Sequence, residues 1–273
     1  MRFSIDAHDR RRWFAAGALF GAIGCAAINP VLTPARVLRA GQVSVDTGSG
    51  YAAPLADTVL GPARVVAATS GMAPLSDADR TTLVRAAAGY GSTPAGIAPY
   101  VAVRVGVAGV NELQFAWLGR AVRFGARRVL WTSDVWAASF GLQARVGYAP
   151  GGGDEFASNV TIGNARSVGA DAVLVVGRTS SGLYDVWLGA RAGYQHGAAS
   201  ITFDRVQALP FGTAMHRFEF AAFLGLRAGF GPIAGKIELD FGVSPFWATS
   251  DVGARADGLA LLLRPSAAIE FTF

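Results

Sequence analysis

Few side chains in this sequence have the type and spacing for acid–base or nucleophilic chemistry. Of its 3 histidines, His8 sits in a basic leader, which leaves His196 and His216 flanking the 196–215 connection. With Ser200 and Glu219 they would compose a Ser-His-Glu hydrolase set, in which the imidazole takes the serine proton and the carboxylate orients the ring. No nucleophile-elbow motif surrounds Ser200. Paired histidines at strand ends serve more simply as interfacial side chains, so no catalytic residue is expected. Asp154 and Glu155 beside Gly151–Gly153 offer oxygen donors to a cation, but they read more simply as a solvated loop tip. The single cysteine, Cys25, excludes an internal disulfide and a cysteine-built metal site. Walker, dinucleotide and zinc signatures are absent. The reading is therefore no cofactor and no metal.

The remaining candidates are charges. Arg104, Arg123, Arg145, Arg191, Arg227, Lys236 and Arg264 alternate with large apolar neighbours, as do Glu112, Asp185, Glu219, Glu238, Asp240 and Glu270. Two near-equal sets of opposite sign on one face of alternating segments point to ion pairing inside an enclosed space, since a lone buried charge is costly. They do not point to nucleic acid. The formal charge is only +5, and the basic residues occur singly along the chain rather than on one helix or loop.

What must position these charges follows from composition. The 273 residues are 52% hydrophobic and only 16% charged, with 35 glycines, where soluble domains carry about 25% charged residues. Such a chain is too apolar for disorder. Beyond residue 40 the uncharged stretch long enough to cross a membrane as a helix is Ala86–Val103, and Pro94, Pro99 and its glycines disqualify it. Alternation resolves the apparent conflict. From residue 42 onward a period of two recurs: Val101, Val103, Val105 and Val107 oppose Arg104, and Leu113, Phe115 and Trp117 oppose Glu112 and Gln114. Phe218, Phe220, Leu224 and Leu226 oppose Arg217, Glu219 and Arg227. Ten strands result, with eight to twelve as the range, and 42–51, 120–131 and 168–178 are the least regular.

Aromatics bracket the apolar face: Trp136 and Tyr148, Tyr184 and Tyr194, Phe218 and Phe230. Tyr184 to Tyr194, at ~3.3 Å per residue and ~40° tilt, gives a band about 25 Å tall, the lipid-facing height of a membrane barrel. The opposite face is Gly, Ala and Ser with sparse charges. Connections are long on one side (52–98, 149–167, 196–215, 248–258) and short on the other, with Gly119 as the exception. A transmembrane antiparallel up-and-down β-barrel is the expected fold, with long loops extracellular and turns periplasmic. Within 52–98, Ser76 reads as the N-cap of one short helix ending at Gly89 or Gly91, a plug or cap over the barrel mouth.

The final stretch, with Ile269, Phe271 and the terminal Phe273 on one face, resembles the C-terminal strand of bacterial outer-membrane β-barrel proteins. The resemblance implies recognition by the barrel-assembly machinery through those three residues, outer-membrane lipids as surroundings, and a Gram-negative source. At the other end, Arg10–Arg12 and the apolar run Trp13–Ile23 read as an export signal, too short to span. Ala22-Ile23-Gly24-Cys25 resembles a lipoprotein box, which implies acylation of Cys25. The expected organisation is a signal peptide at 1–24, a lipid-anchored, proline-stiffened tether at 25–41 and the barrel at 42–273. The function expected is non-enzymatic, a structural or surface-loop binding role with a mostly closed lumen. A narrow channel for small anionic solutes, favoured by glycines at 141, 147, 189, 193, 225 and 229, is the first alternative. A membrane-embedded lipid hydrolase and a soluble periplasmic lipoprotein with its apolar face inward are the others.

Overall fold

The computed structural model describes residues 30–55, 65, 76–92, 96–108, 111–149, 160–180, 183–203 and 211–273. The sequence-predicted signal peptide, Cys25 and the Asp154–Glu155 loop tip lie outside them. Ten strands run in order: β1 Val43–Pro54, β2 Gly96–Gly106, β3 Asn111–Trp117, β4 Ala121–Thr132, β5 Trp136–Ala149, β6 Val160–Ser180, β7 Tyr184–Phe203, β8 Phe211–Phe230, β9 Ile233–Ser250 and β10 Arg255–Thr272. Each pairs antiparallel with its chain neighbours, and β1 pairs with β10, so the sheet closes on itself. One helix, α1, spans Asp77–Ser92 between β1 and β2.

Paired residues followed once around the wall lead from Glu270 through Asp46, Arg123, Arg145 and Arg217 to Gly258, twelve residues along β10 from the start. That stagger goes with the steep strand tilt of a closed barrel. The alternation follows directly: Leu142, Leu188, Phe220, Leu224, Leu239 and Ile269 are exposed on the outer wall, while charged residues of opposite parity are buried inside. A soluble barrel has the reverse arrangement, so the inward-apolar alternative is overturned. The bracketing aromatics Trp136, Tyr148, Tyr184, Tyr194, Phe218 and Phe230 all face outward.

One end of the barrel, the turn end, carries Val43, the short connections and Phe273; Gly231 at φ +60° makes one of its turns. At the other, the loop end, β3 and β4 join through Leu118–Arg120 with Gly119 at φ +75°, so the short connection expected there is real. The long connections at 196–215 and 248–258 are shorter than the sequence implies, because β7 to β10 run on past the apolar outer band. Their extensions place Ser200, Thr202, Gly212 and Thr249 outward, and such residues carry no period-two hydropathy signal. The wall is thus low at β3 and tall from β6 to β10.

Helix α1 starts where expected. Ser76 Oγ accepts the Asp79 N–H at 3.2 Å, and the Ser76 N–H and hydroxyl donate to Asp79 Oδ2 at 3.0 and 2.7 Å, a reciprocal cap. The helix passes Gly89 and Gly91 and ends at Ser92, since glycine weakens a helix interior without forbidding it. Leu83, Val84 and Ala86–Ala88 pack against the inward-facing Ile201, Phe211, Met215, Phe246, Ala248 and Ala256. The helix therefore sits inside the loop-end mouth, held to the tall wall by a small apolar core.

Candidate functional site

The lumen is the site where polar chemistry concentrates. Near the turn end Arg104 binds three carboxylates: Asp46 at 3.3 Å, Glu112 at 3.6 Å and Glu270 at 3.0 Å. Lys236 joins Asp46 at 2.9 Å and Glu270 at 2.8 Å, Arg227 joins Glu270 at 2.9 Å and Asp185 at 3.3 Å, and Arg127 joins Glu112 at 3.1 Å. Four cations thus meet four carboxylates. Farther up, Glu219 and Asp240 are held by Arg191 (2.8 and 2.7 Å) and Arg264 (2.7 Å to each), and Arg217 reaches Glu219 at 2.8 Å. Close partners of opposite sign offset the cost of removing these charges from water. Arg145 donates to the neutral Gln195 Oε1 at 3.2 Å and forms no ion pair among the described residues.

The segment before β1 enters this space. Residues 30–38, here called the strap, fall in the span read from the sequence as a tether and run inside the barrel; Val31, Leu32, Thr33 and Ala35 are buried in the lumen. Glu238 Oε1 and Oε2 accept the N–H groups of Val31 and Leu32 at 2.7 and 2.8 Å, and the Trp187 indole N–H donates to Oε2 at 3.2 Å. Arg123 donates to the Pro30 carbonyl at 2.6 Å. Arg127 donates to those of Pro34 and Arg36, at 2.5 and 3.3 Å. Glu112 accepts Leu38 N–H at 3.0 Å, and Arg36 reaches the β4–β5 turn through the Ser133 and Asp134 carbonyls. The strap therefore rises from the turn end toward the middle of the lumen. Val31 and Ala35 pack with Val173, Val175, Trp187 and Phe223, and Leu32 packs with Tyr100, Ala116 and Leu118.

Of the six glycines expected to leave space beside arginines, Gly141 does lie against one, since a Cβ there would sit 3.5 Å from the Arg127 side chain, while others serve different neighbours. At two of the six positions the space belongs to aromatics: a Cβ at Gly225 would run into the Trp187 indole, and one at Gly189 into the Phe223 ring. At Gly193 the space is taken by the Asp171 carboxylate, and at Gly197 by Met215. Strap, helix, aromatics and ion pairs all lie in the interior of the barrel.

Asp46, Arg127 and Arg217 belong to these networks and escape the sequence-based set. Strand β1 is too small and polar for Asp46 to stand out, and Arg127 is masked by the adjacent, outward Arg128. Parity alone places Arg217 with Glu219.

The hydrolase residues do not assemble. His196 and His216 are cross-strand neighbours on the outer wall, with ring centroids 4.7 Å apart. His216 Nδ1 shares a hydrogen bond with the Tyr194 hydroxyl at 2.6 Å and the ring stacks on Trp247 at 5.4 Å. Glu219 points the opposite way, into the lumen, onto three arginines. The histidines belong to an aromatic girdle. At the chain end Ile269 and Phe273 lie exposed on the outer wall, with Phe271 half-buried between them.

Protein-family models and curated protein sequences give no match to this chain. Similar solved structures include a major outer membrane protein from Thermus thermophilus, at 10% identity over 86% of this chain and 100% of that one, with a TM-score of 0.35. The attachment invasion locus protein Ail of Yersinia pestis is similar at 10% identity over 86% and 99% of the two chains, with a TM-score of 0.30. The CymD monoaromatic hydrocarbon channel is similar at 10% identity over 93% and 96%, also with a TM-score of 0.30.

Proposed function

We propose that this chain is a non-enzymatic outer-membrane barrel whose lumen is sealed and whose work is structural or done by its loop-end surface. What supports this reading is that the strap enters the lumen from the turn end and α1 packs inside the loop-end mouth, with buried ion pairs on the lumen wall. The apolar outer wall with its aromatic girdles faces lipid, the long connections face the outside and the turns face the periplasm of a Gram-negative cell. Residues 1–24 direct export, Cys25 carries an acyl anchor, and Ile269, Phe271 and Phe273 are what the barrel-assembly machinery reads.

A second reading, a narrow path for small anions, is favoured by Arg145, a buried guanidinium paired only with a neutral amide among the described residues. Cell fractionation with a heat-modifiability gel tests the membrane assignment. Unboiled protein from the outer-membrane fraction is expected to migrate differently from boiled protein. Recovery outside that fraction, or identical migration, would overturn the proposal.

A further inference from the structure

The bonds between the lumen wall and the strap fall largely on main-chain atoms. Glu238 and Glu112 accept the N–H groups of Val31, Leu32 and Leu38, while Arg123 and Arg127 donate to the carbonyls of Pro30, Pro34 and Arg36. The two prolines bring no N–H into a space where an unmatched donor is costly, and both their carbonyls are taken by arginines. Leu32 adopts φ +45°, a left-handed conformation that turns its N–H and that of Val31 toward one carboxylate. Successive amides arranged so form a nest for an anion, and here the anion is the Glu238 side chain.

Side-chain reading is sparse by comparison. Val31 and Ala35 enter the pocket at Trp187, Leu32 enters the one at Tyr100, and Thr33 Oγ1 has no hydrogen-bond partner among the described residues. The strap also adds no strand to the sheet, since β1 begins only at Val43. It is held as a ligand is held, by a built set of buried donors and acceptors.

We infer that the lumen is a receptor site for an extended, proline-containing apolar peptide, with residues 30–38 as its resident and exchangeable occupant. The inference deepens the sealed-lumen reading and rests on it. The peptide enters from the turn end, where Arg39–Gly41 are exposed and a tight turn, closed by Gln42 N–H to the Arg39 carbonyl at 3.0 Å with Gly41 at φ +83°, hinges the strap to the wall. A tethered occupant competes at an effective concentration in the millimolar range, so an outside peptide gains the site only when the strap is weakened.

Leu32→Pro weakens it without touching the wall, because proline fixes φ near −65° and removes the N–H. The probe is a fluorescent synthetic peptide of residues 29–39, titrated by anisotropy onto full-length protein in detergent. Leu32→Pro is expected to bind it at least tenfold more tightly than the unaltered chain, and adding Glu238→Gln is expected to remove that gain. As a second route, a protease site inserted between Arg39 and Ala40 is cut after folding, which frees the strap from an already closed barrel. The cut protein is expected to take up the peptide. A heat-modifiable barrel that, cut or carrying Leu32→Pro, binds no better than the intact chain would overturn the inference, as would binding indifferent to Glu238→Gln. Steady conductance by the unaltered chain would instead refute the sealed lumen, whatever the peptide does.

Discussion

Glu238 and Leu32 lie 206 positions apart in the chain, yet the carboxylate accepts the leucine N–H at 2.8 Å inside the barrel, where Leu32 is fully buried. The same carboxylate holds Val31 and Trp187. Glu238→Ala strands three donors, and a buried donor without an acceptor costs about 1–3 kcal/mol. The expected result is a urea midpoint lowered by an amount equivalent to at least 2 kcal/mol or so, with Glu238→Gln less damaging because its carbonyl still accepts. Equal midpoints for Glu238→Ala and the unaltered chain would show that the strap is not fixed there.

Arg104 is the hub of the turn-end network. Its removal leaves Asp46, Glu112 and Glu270 sharing Lys236, Arg127 and Arg227. Breaking a buried pair from one side costs about 3–5 kcal/mol, so Arg104→Ala is expected to be among the most destabilising single changes. Combining it with Asp46→Asn should recover part of the loss, and a double-mutant cycle measures that coupling. Strict additivity would contradict the network.

Gly225 faces the Trp187 indole. Gly225→Val overpacks this layer and is expected to cost about 1–3 kcal/mol. Trp187→Ala in the same chain should relieve the clash while exposing its own cavity penalty, so the double variant falls short of the sum of the two singles. Thermal unfolding monitored by β-sheet circular dichroism reads the difference.

The outer wall gives a test of which face meets lipid. Leu224 is 57% exposed, on the outer face of β8. An arginine at the bilayer midplane costs about 2–4 kcal/mol. Leu224→Arg is therefore expected to weaken folding into lipid vesicles by that amount. The same change at Val252, exposed in the β9–β10 turn, should be close to neutral.

At the mouth, hydrogen bonds from the Ser76 hydroxyl and then the Ser76 N–H hold the Asp79 carboxyl below its ordinary range. A group whose folded pKa is lowered contributes stability above its unfolded pKa, and that stability is lost as pH falls through the folded value. Protection of the amides in the first turn of α1, taken relative to their intrinsic exchange rate at each pH, is expected to fall at acidic pH, and Ser76→Ala should produce the same loss of protection at neutral pH. Unchanged exchange in that turn for Ser76→Ala would show that the cap does not hold the helix.

Ten strands, their parity and most lumen charges are legible in the sequence because β-structure with two different faces writes a period of two in hydropathy. Arg104, Glu219 and Glu270 can be assigned inward on that ground alone. What escapes notice lacks that signature. The ends of β7 and β8 above the apolar band place Ser200 and Gly212 outward, which gives no alternation. Pro30–Leu38 reads as a plain linker because wall side chains recognise it chiefly through its main chain, leaving little pattern in its own residues. Asp46 sits in a strand of small and polar residues, and the fit of Trp187 over Gly225 depends on two strands meeting in register. Long-range contacts of this kind have no local trace.

The sealed lumen is tested most directly by single-channel recording of the full-length protein in a planar bilayer, next to its Leu32→Pro variant. The unaltered chain is expected to insert without steady conductance, while Leu32→Pro, its strap unseated, should show flickering openings. Stable open channels from the unaltered chain would contradict the account.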